Sequence, residues 1–173
     1  MKKLIYILIL TLSLTHNAFS AGSSGDGDDT QKISNYTKAH NLIKSAKKYE
    51  KKDKIKKAQK NYSKAQKLLL KSNLEKPSQA DTLNYLGFTT RKLGDFKKGE
   101  EFYLQGLQID PKHNGINEYL GELYVVTNRM ELAKERLEVL RDCNCEEYGE
   151  LKEIIEGTKK SKYELNYLIS LIL

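Results

Sequence analysis

The chain has 173 residues and a formal net charge of +7, with two cysteines, three histidines and no tryptophan. This length suits one compact domain or a short solenoid. So few, scattered histidines and cysteines predict no zinc site, and no nucleophile–base set, glycine-rich phosphate loop or paired-carboxylate site can be placed. The composition therefore favours a protein without catalytic activity, metal or cofactor.

The first twenty residues have the pattern of a cleavable signal peptide. Two lysines precede the apolar run Leu4–Leu14, and Ala18–Ser20 supplies the small residues that a signal peptidase reads, with the cut before Ala21. A membrane anchor is the weaker alternative, because the run is shorter than the roughly 20 residues that cross a bilayer. We therefore expect an exported protein, either periplasmic or secreted.

Charge then divides the chain into two regions. Residues 21–30 are rich in Gly, Ser and Asp and are expected to form a flexible leader. Residues 31–76 contain fifteen lysines, no arginine and three acidic residues, whereas residues 77–173 contain thirteen basic and seventeen acidic residues. The Lys-rich region either contacts an anionic membrane or is simply a solvated helix surface. Nucleic acid is not expected, because arginine is the side chain suited to bidentate phosphate contacts.

Apolar residues recur three or four positions apart from residue 33 onward, which predicts helices throughout and no strand. Ser78 or Asp81 is available as the N-cap of the helix that follows Pro77. The last helix is predicted over Glu146–Glu156. Turns are predicted at Lys51–Lys54, Pro77–Ser78, Leu93–Asp95, Asp110–Pro111 and Thr127–Asn128.

Two sequence features recur with an offset of 34 residues. Tyr85–Gly87 returns as Tyr119–Gly121, and the two prolines are Pro77 and Pro111. This is the period of the tetratricopeptide repeat (TPR), a pair of antiparallel helices that stacks on its neighbours. Residues 77–145 thus resemble two TPR units. The residues at the family's helix-packing positions are Leu86, Gly87, Gly99, Tyr103, Leu120, Gly121, Tyr124 and Ala133.

The resemblance implies an all-α fold, a short right-handed TPR-type solenoid of antiparallel helix pairs with helical caps. Residues 31–76 keep only the second helix of a further unit, so this first repeat is expected to be degenerate. Residues 146–173 are expected to be capping helices. The chain is similar to small exported bacterial TPR proteins. A stacked array is typical of a scaffold or adaptor that binds a protein or peptide partner, not of an enzyme.

In the family that this chain resembles, the first helix of each unit lines a concave groove for an extended peptide or a partner helix. The groove positions are Asn84, Tyr85, Phe88, Arg91, Glu118, Tyr119 and Glu122. Aromatic side chains among polar groups suit peptide binding, although Tyr85 and Tyr119 could instead only pack between repeats. A carboxylate clamp is not expected, because Phe88, Glu118 and Glu122 occupy the places that its Lys/Asn/Arg set needs.

Cys143 and Cys145 enclose a single residue and can form a disulfide in an oxidising compartment. A redox enzyme normally has two intervening residues inside an α/β fold. Thiol–disulfide exchange is therefore the third functional hypothesis, after partner binding and after attachment of the Lys-rich helices to an anionic membrane.

The last eleven residues, 163–173, are mostly apolar. They are too few to cross a bilayer. We expect them to pack on the exposed end of the Glu146–Glu156 helix and seal the solenoid of a monomer. The alternative is that they occupy the groove of another copy and give a homo-oligomer by exchange of tails. The sequence does not identify the partner.

Overall fold

The computed structural model describes residues 33–163, in which seven helices and no strand occur. The predicted signal peptide, the leader and the apolar tail beyond Tyr163 lie outside the described residues. Within 33–163, no helix is both long enough and apolar enough to cross a membrane. The helices are α1 Asn35–Glu50, α2 Ile55–Glu75, α3 Ala80–Lys92, α4 Phe96–Ile109, α5 Asn114–Val126, α6 Met130–Val139 and α7 Glu146–Ile155.

The helices are packed as consecutive pairs. Turns of three or four residues join α1 to α2, α3 to α4 and α5 to α6, so the two helices of each pair run antiparallel and contact each other extensively. Each pair also contacts the next, and the odd-numbered helices touch in series, α1 with α3, α3 with α5 and α5 with α7. The all-α solenoid of helix pairs predicted from the sequence is therefore confirmed.

Most turns contain one residue with left-handed backbone. Gly94 has φ of +100° after α3, as predicted for a helix C-terminus. The predicted break at 51–54 is confirmed, and Asp53 makes it with φ of +55°, which explains why no glycine or proline marks it. The predicted N-cap of α3 is wrong. Gln79 precedes the helix, while Ser78 has φ of +60° and turns the chain after Pro77.

Packing between repeats depends on small residues at close helix contacts. All eight residues at the predicted helix-packing positions are buried. A Cβ atom built on Gly87 would overlap the Tyr103 ring of α4. A Cβ atom built on Gly121 would lie 2.5 Å from Leu151 Cδ2 of α7 and 3.3 Å from Arg136 Cβ of α6. Glycine therefore lets α5 approach both neighbouring helices more closely than any other residue allows.

Candidate functional site

The groove is the shared face of the odd-numbered helices. Five of the seven predicted groove residues are buried, and only Tyr85 and Tyr119 are half-exposed. The buried five include charged side chains, which rarely lie inside a protein unless they are paired. Something other than solvent must therefore cover this face. The five are Asn84, Phe88, Arg91, Glu118 and Glu122.

The chain itself covers the groove. After α7 the backbone turns at Gly157, whose φ is +72°, and the N–H groups of Thr158 and Lys159 donate to the Glu153 carbonyl. The non-helical residues that follow run back over α5 and α3. We call residues 161–163 the 161–163 segment. The sequence predicted that the tail packs on the end of α7, but Tyr163 lies in the core formed with α1, α2 and α3.

Glu122 and Lys92 hold the main chain of the segment. Glu122 Oε1 accepts hydrogen bonds from Ser161 Oγ at 3.1 Å and from the Lys162 backbone N at 2.9 Å. On the other side, Lys92 Nζ donates to the Lys162 carbonyl oxygen at 3.1 Å. Both backbone polar groups of Lys162 are thus paired with groove side chains, as those of a bound peptide would be.

Two carboxylates hold the Lys162 side chain. Its Nζ lies 2.6 Å from Glu150 Oε2 and 3.3 Å from Glu118 Oε1. Burial raises the pKa of Glu118 to about 8, although the Lys162 charge opposes this shift. Burial also acts to raise the pKa of Glu150, but its hydrogen bonds with Lys162 and Lys159 and their charges prevail and lower it to about 2. The site therefore favours a cation at this position.

Tyr163 is fully buried between aromatic and cationic side chains. The Arg91 guanidinium carbon lies 3.6 Å from the centroid of its ring, and the Phe88 ring meets it edge-on at 5.9 Å. Arg91 is fully buried as well, and its Nη1 donates to the Tyr119 carbonyl oxygen of α5. Stacking of the guanidinium on the ring supplies a contact that a buried cation otherwise lacks.

A second set of polar contacts closes the groove at α1. Lys92 Nζ donates to both carboxylate oxygens of Glu50, at 3.0 and 3.1 Å, and the Tyr62 hydroxyl donates to Glu50 at 2.9 Å. Because Lys92 also holds the Lys162 carbonyl, these contacts join three helices to the 161–163 segment.

Beside the segment the groove keeps an open cavity of about 470 Å³. Lys47 Nζ lies 4.7 Å from the centroid of the Phe88 ring. Burial, and next the nearby charge of Lys162, lower the pKa of Lys47. The cavity is therefore basic at its rim and aromatic on its floor. Its lining residues are Lys47, Glu50, Lys51, Ile55, Phe88, Lys92 and Lys162.

The two half-exposed tyrosines do pack between helices. The centroid of the Tyr85 ring lies 5.2 Å from that of His40 and 6.0 Å from that of Tyr36, both of α1. The Tyr119 ring lies 5.2 Å from that of Phe88. Each therefore links neighbouring odd-numbered helices, and each keeps part of its surface in the groove.

Sequence reasoning missed several residues that form the site. Lys92 follows Phe88 by four positions and so shares its helix face, a spacing that could have identified it. Glu50 carries no such signal, because it meets Lys92 only when α1 packs on α3. Glu150 carries none, because its partner Lys162 lies in the non-helical segment. Tyr163 lies 75 positions after Phe88, and the apolar run that contains it was expected at the end of α7 and not beside Phe88.

Most lysines of the Lys-rich region and both cysteines lie away from the groove centre. Every described lysine from Lys38 to Lys76 is exposed except Lys47. The structure joins Cys143 and Cys145 in a disulfide within the turn before α7. Among residues 33–163, no three His, Cys, Asp or Glu side chains come together as metal ligands.

Comparison with solved structures shows the fold type. The translocator chaperone SycD of type III secretion from Yersinia enterocolitica, a TPR-like protein, has a TM-score of 0.51 with 16% identity over 73% of this chain and 86% of SycD. The first TPR of Spaghetti (RPAP3), bound to an HSP90 peptide, gives 0.45 with 21% identity over 71% and 94%. No protein-family model and no curated protein matches the chain. The likeness to SycD shows a TPR-type fold.

Proposed function

We propose that this chain is an exported, non-catalytic scaffold that binds a protein or peptide partner through the groove of its odd-numbered helices. The observation that supports this function is that the groove already holds a non-helical segment of polypeptide by its main chain and side chains alike. A surface that pairs both backbone groups of one residue has the chemistry needed for peptide binding. The cavity beside the segment leaves room for further contacts.

Photo-crosslinking tests where a partner binds. A photoreactive amino acid at Lys51, on the cavity rim, is expected to crosslink a protein in the native envelope fraction. The same amino acid at Leu104, an exposed position on α4, is expected to capture nothing. The captured protein is then purified and its affinity for the intact chain measured.

A charge reversal in the groove and one outside it separate specific from general effects. Lys51→Glu reverses a charge at the cavity rim and is expected to change the affinity for the purified partner at least about tenfold, which corresponds to about 1.4 kcal/mol. Lys64→Glu, an equal charge change on the exposed side of α2, is expected to leave it unchanged. Equal affinities for the two variants would contradict groove binding.

Export is the part of the proposal that rests on the first twenty residues. Mass spectrometry of the protein from a periplasmic or secreted fraction is expected to give Ala21 as the first residue. Recovery of the intact Met1 form from the cytoplasm alone would contradict it.

Attachment to an anionic membrane is the second candidate function, favoured by the exposed lysines of α1 and α2. Binding to vesicles with acidic headgroups would then fall steeply between about 0.05 and 0.5 M salt, because those charges are screened. Partner binding through aromatic groove contacts is expected to persist over the same range.

A further inference from the structure

We propose that the groove recognises a basic residue followed directly by an aromatic residue, and that Lys162–Tyr163 of the same chain occupies this site until a partner peptide of the same chemistry replaces it. The inference rests on the proposed function, since it names the class of partner for the same groove. Three sets of contacts carry it.

The main-chain contacts are independent of sequence. Glu122 accepts the Lys162 N–H at 2.9 Å, and Lys92 donates to the Lys162 carbonyl at 3.1 Å. Any non-proline residue offers the same donor and acceptor. A foreign peptide can therefore take the place of the 161–163 segment without loss of these two bonds, and the side-chain contacts decide which peptide does so.

The first side-chain position requires a cation. Lys162 Nζ lies between Glu150 and Glu118, and the Glu118 side chain is only 4% exposed. A neutral residue here would leave the ionised Glu150 without its partner, and an acidic residue would place a second negative charge beside it. Lysine and arginine are the residues that satisfy the position.

The second position requires an aromatic ring but not a hydroxyl. The ring of Tyr163 is in contact with the guanidinium of Arg91 and the edge of Phe88. Its hydroxyl is buried, and no residue in the described part of the chain forms a hydrogen bond with it. Phenylalanine therefore fits the position as well as tyrosine does, whereas alanine leaves both Arg91 and Phe88 uncovered.

The tether makes the segment a strong competitor. Residues 156–160 connect it to α7, so its effective concentration at the groove is on the order of millimolar. A free peptide meets an occupied site in the intact protein. Weakening the segment within the full-length chain is expected to expose the site without removing any groove residue.

The test uses full-length Lys162→Glu, in which the reversed charge is repelled by the ionised Glu150. The probe is a fluorescein-labelled, amidated peptide with the sequence of residues 158–163, TKKSKY, followed by fluorescence anisotropy. Its affinity for Lys162→Glu is expected to exceed that for the wild type at least about tenfold. Lys160→Glu, an equal charge change at an exposed neighbouring position, is expected to behave as the wild type.

Peptide variants test the chemistry of each position. On Lys162→Glu, the peptide with phenylalanine in place of tyrosine is expected to bind within about threefold of the parent, which is under 1 kcal/mol. Peptides with TKKSEY or TKKSKA sequences are expected to bind at least about tenfold more weakly. Equal affinity for all four peptides, or no binding of the parent peptide, would overturn the inference.

A second measurement covers a variant that does not fold. If Lys162→Glu loses its helical circular dichroism, the peptides are titrated into wild-type protein and the amide signals of residues 161–163 are followed by NMR. The parent peptide is expected to shift these amide signals as the segment leaves the groove, and TKKSEY is expected to leave them unchanged. The reverse result overturns the inference.

Light scattering that gives a wild-type dimer, dissociated by Lys162→Gln, would assign the site to a second copy and overturn self-occupancy.

The proposed function and the basic–aromatic recognition can fail independently. A partner crosslinked at Lys51 together with no binding of TKKSKY would retain the proposed function and reject the basic–aromatic recognition. Binding of TKKSKY with no partner captured in the envelope fraction would retain the basic–aromatic recognition and reject the proposed function.

Discussion

The contacts between repeats and the groove are built from opposite kinds of interaction. Between repeats, Gly121 meets Leu151, and the contact is an apolar side chain against bare backbone. In the groove, Arg91, Glu118 and Glu122 are buried ionisable side chains held by hydrogen bonds, close acid–base contacts and an aromatic ring. The first set fixes how the helices stack, and the second fixes what the face can hold.

The sequence period separates the same two regions. Leu86 and Leu120 are 34 residues apart and both fully buried in the repeat core. Phe88 and Glu122 are also 34 residues apart, yet one is an aromatic floor and the other a carboxylate that binds backbone N–H. Leucine recurs at this packing position because both helices fill the same kind of apolar interior. Phe88 and Glu122 differ because Phe88 contacts the Tyr163 ring, whereas Glu122 accepts hydrogen bonds from Ser161 and Lys162.

The largest effect is expected where a buried groove charge loses its partner. Arg91→Met keeps the length of the side chain but removes the hydrogen bond with Tyr119 and leaves Glu122 without the guanidinium charge. It is expected to lower the free energy of unfolding by about 3–5 kcal/mol, measured by urea denaturation. Arg141→Met, at a surface pair with Glu138, is the control and is expected to change it by under about 1 kcal/mol. Similar losses in the free energy of unfolding for Arg91→Met and Arg141→Met would show that burial of the charge makes no difference.

A packing substitution tests the other region. Gly121→Leu forces side-chain atoms into the space held by Leu151 and is expected to destabilise by about 1–3 kcal/mol. Gly149→Leu is the control, because a Cβ there would meet no atom of another element within 4 Å among residues 33–163 and leucine suits a helix. Thermal melts followed by circular dichroism distinguish the two. An unchanged midpoint for Gly121→Leu would mean that this interface is not close-packed.

The groove, unlike the repeat contacts, is expected to make stability depend on pH. Because burial raises the pKa of Glu118 from 4.5 to about 8, the folded state binds a proton that the unfolded state releases over this interval. Stability from this group is therefore complete below about pH 4.5 and is lost as the pH rises through 8. Glu118→Gln cannot titrate, so its stability relative to the wild type is expected to increase from pH 5 to 8. A constant difference in urea denaturation across that range would contradict the shift.

The smallest change in stability is expected for Tyr163→Phe, at the aromatic position of the segment. Tyr163→Phe removes a buried hydroxyl that has no hydrogen-bond partner among residues 33–163, so stability is expected to stay within about 0.5 kcal/mol. Tyr163→Ala removes the ring as well and is expected to cost about 3–5 kcal/mol. Chemical denaturation of both variants measures the ring and the hydroxyl separately. Equal losses would indicate that the hydroxyl, not the ring, holds the segment.

The sequence by itself determined the helices and the way they pair. Helical spacing, left-handed glycine at Gly94 and the 34-residue offset are local or periodic signals, and the offset placed Gly87 and Gly121 at close helix contacts. The turns at Lys51–Lys54 and Pro77–Ser78 were predicted, but the left-handed backbone of Asp53 and Ser78 was not, because residues other than glycine adopt it only when the flanking helices demand it.

Only the tertiary structure decided what the groove contains. Glu118 and Glu122 were placed in it by the repeat pattern, but their ligand is a segment about forty residues further along the chain. No periodicity relates Lys162 and Tyr163 to the helices that bind them. Their location follows from the turn at Gly157 and from the need of buried charges for partners, which is settled when the helices have packed and not before.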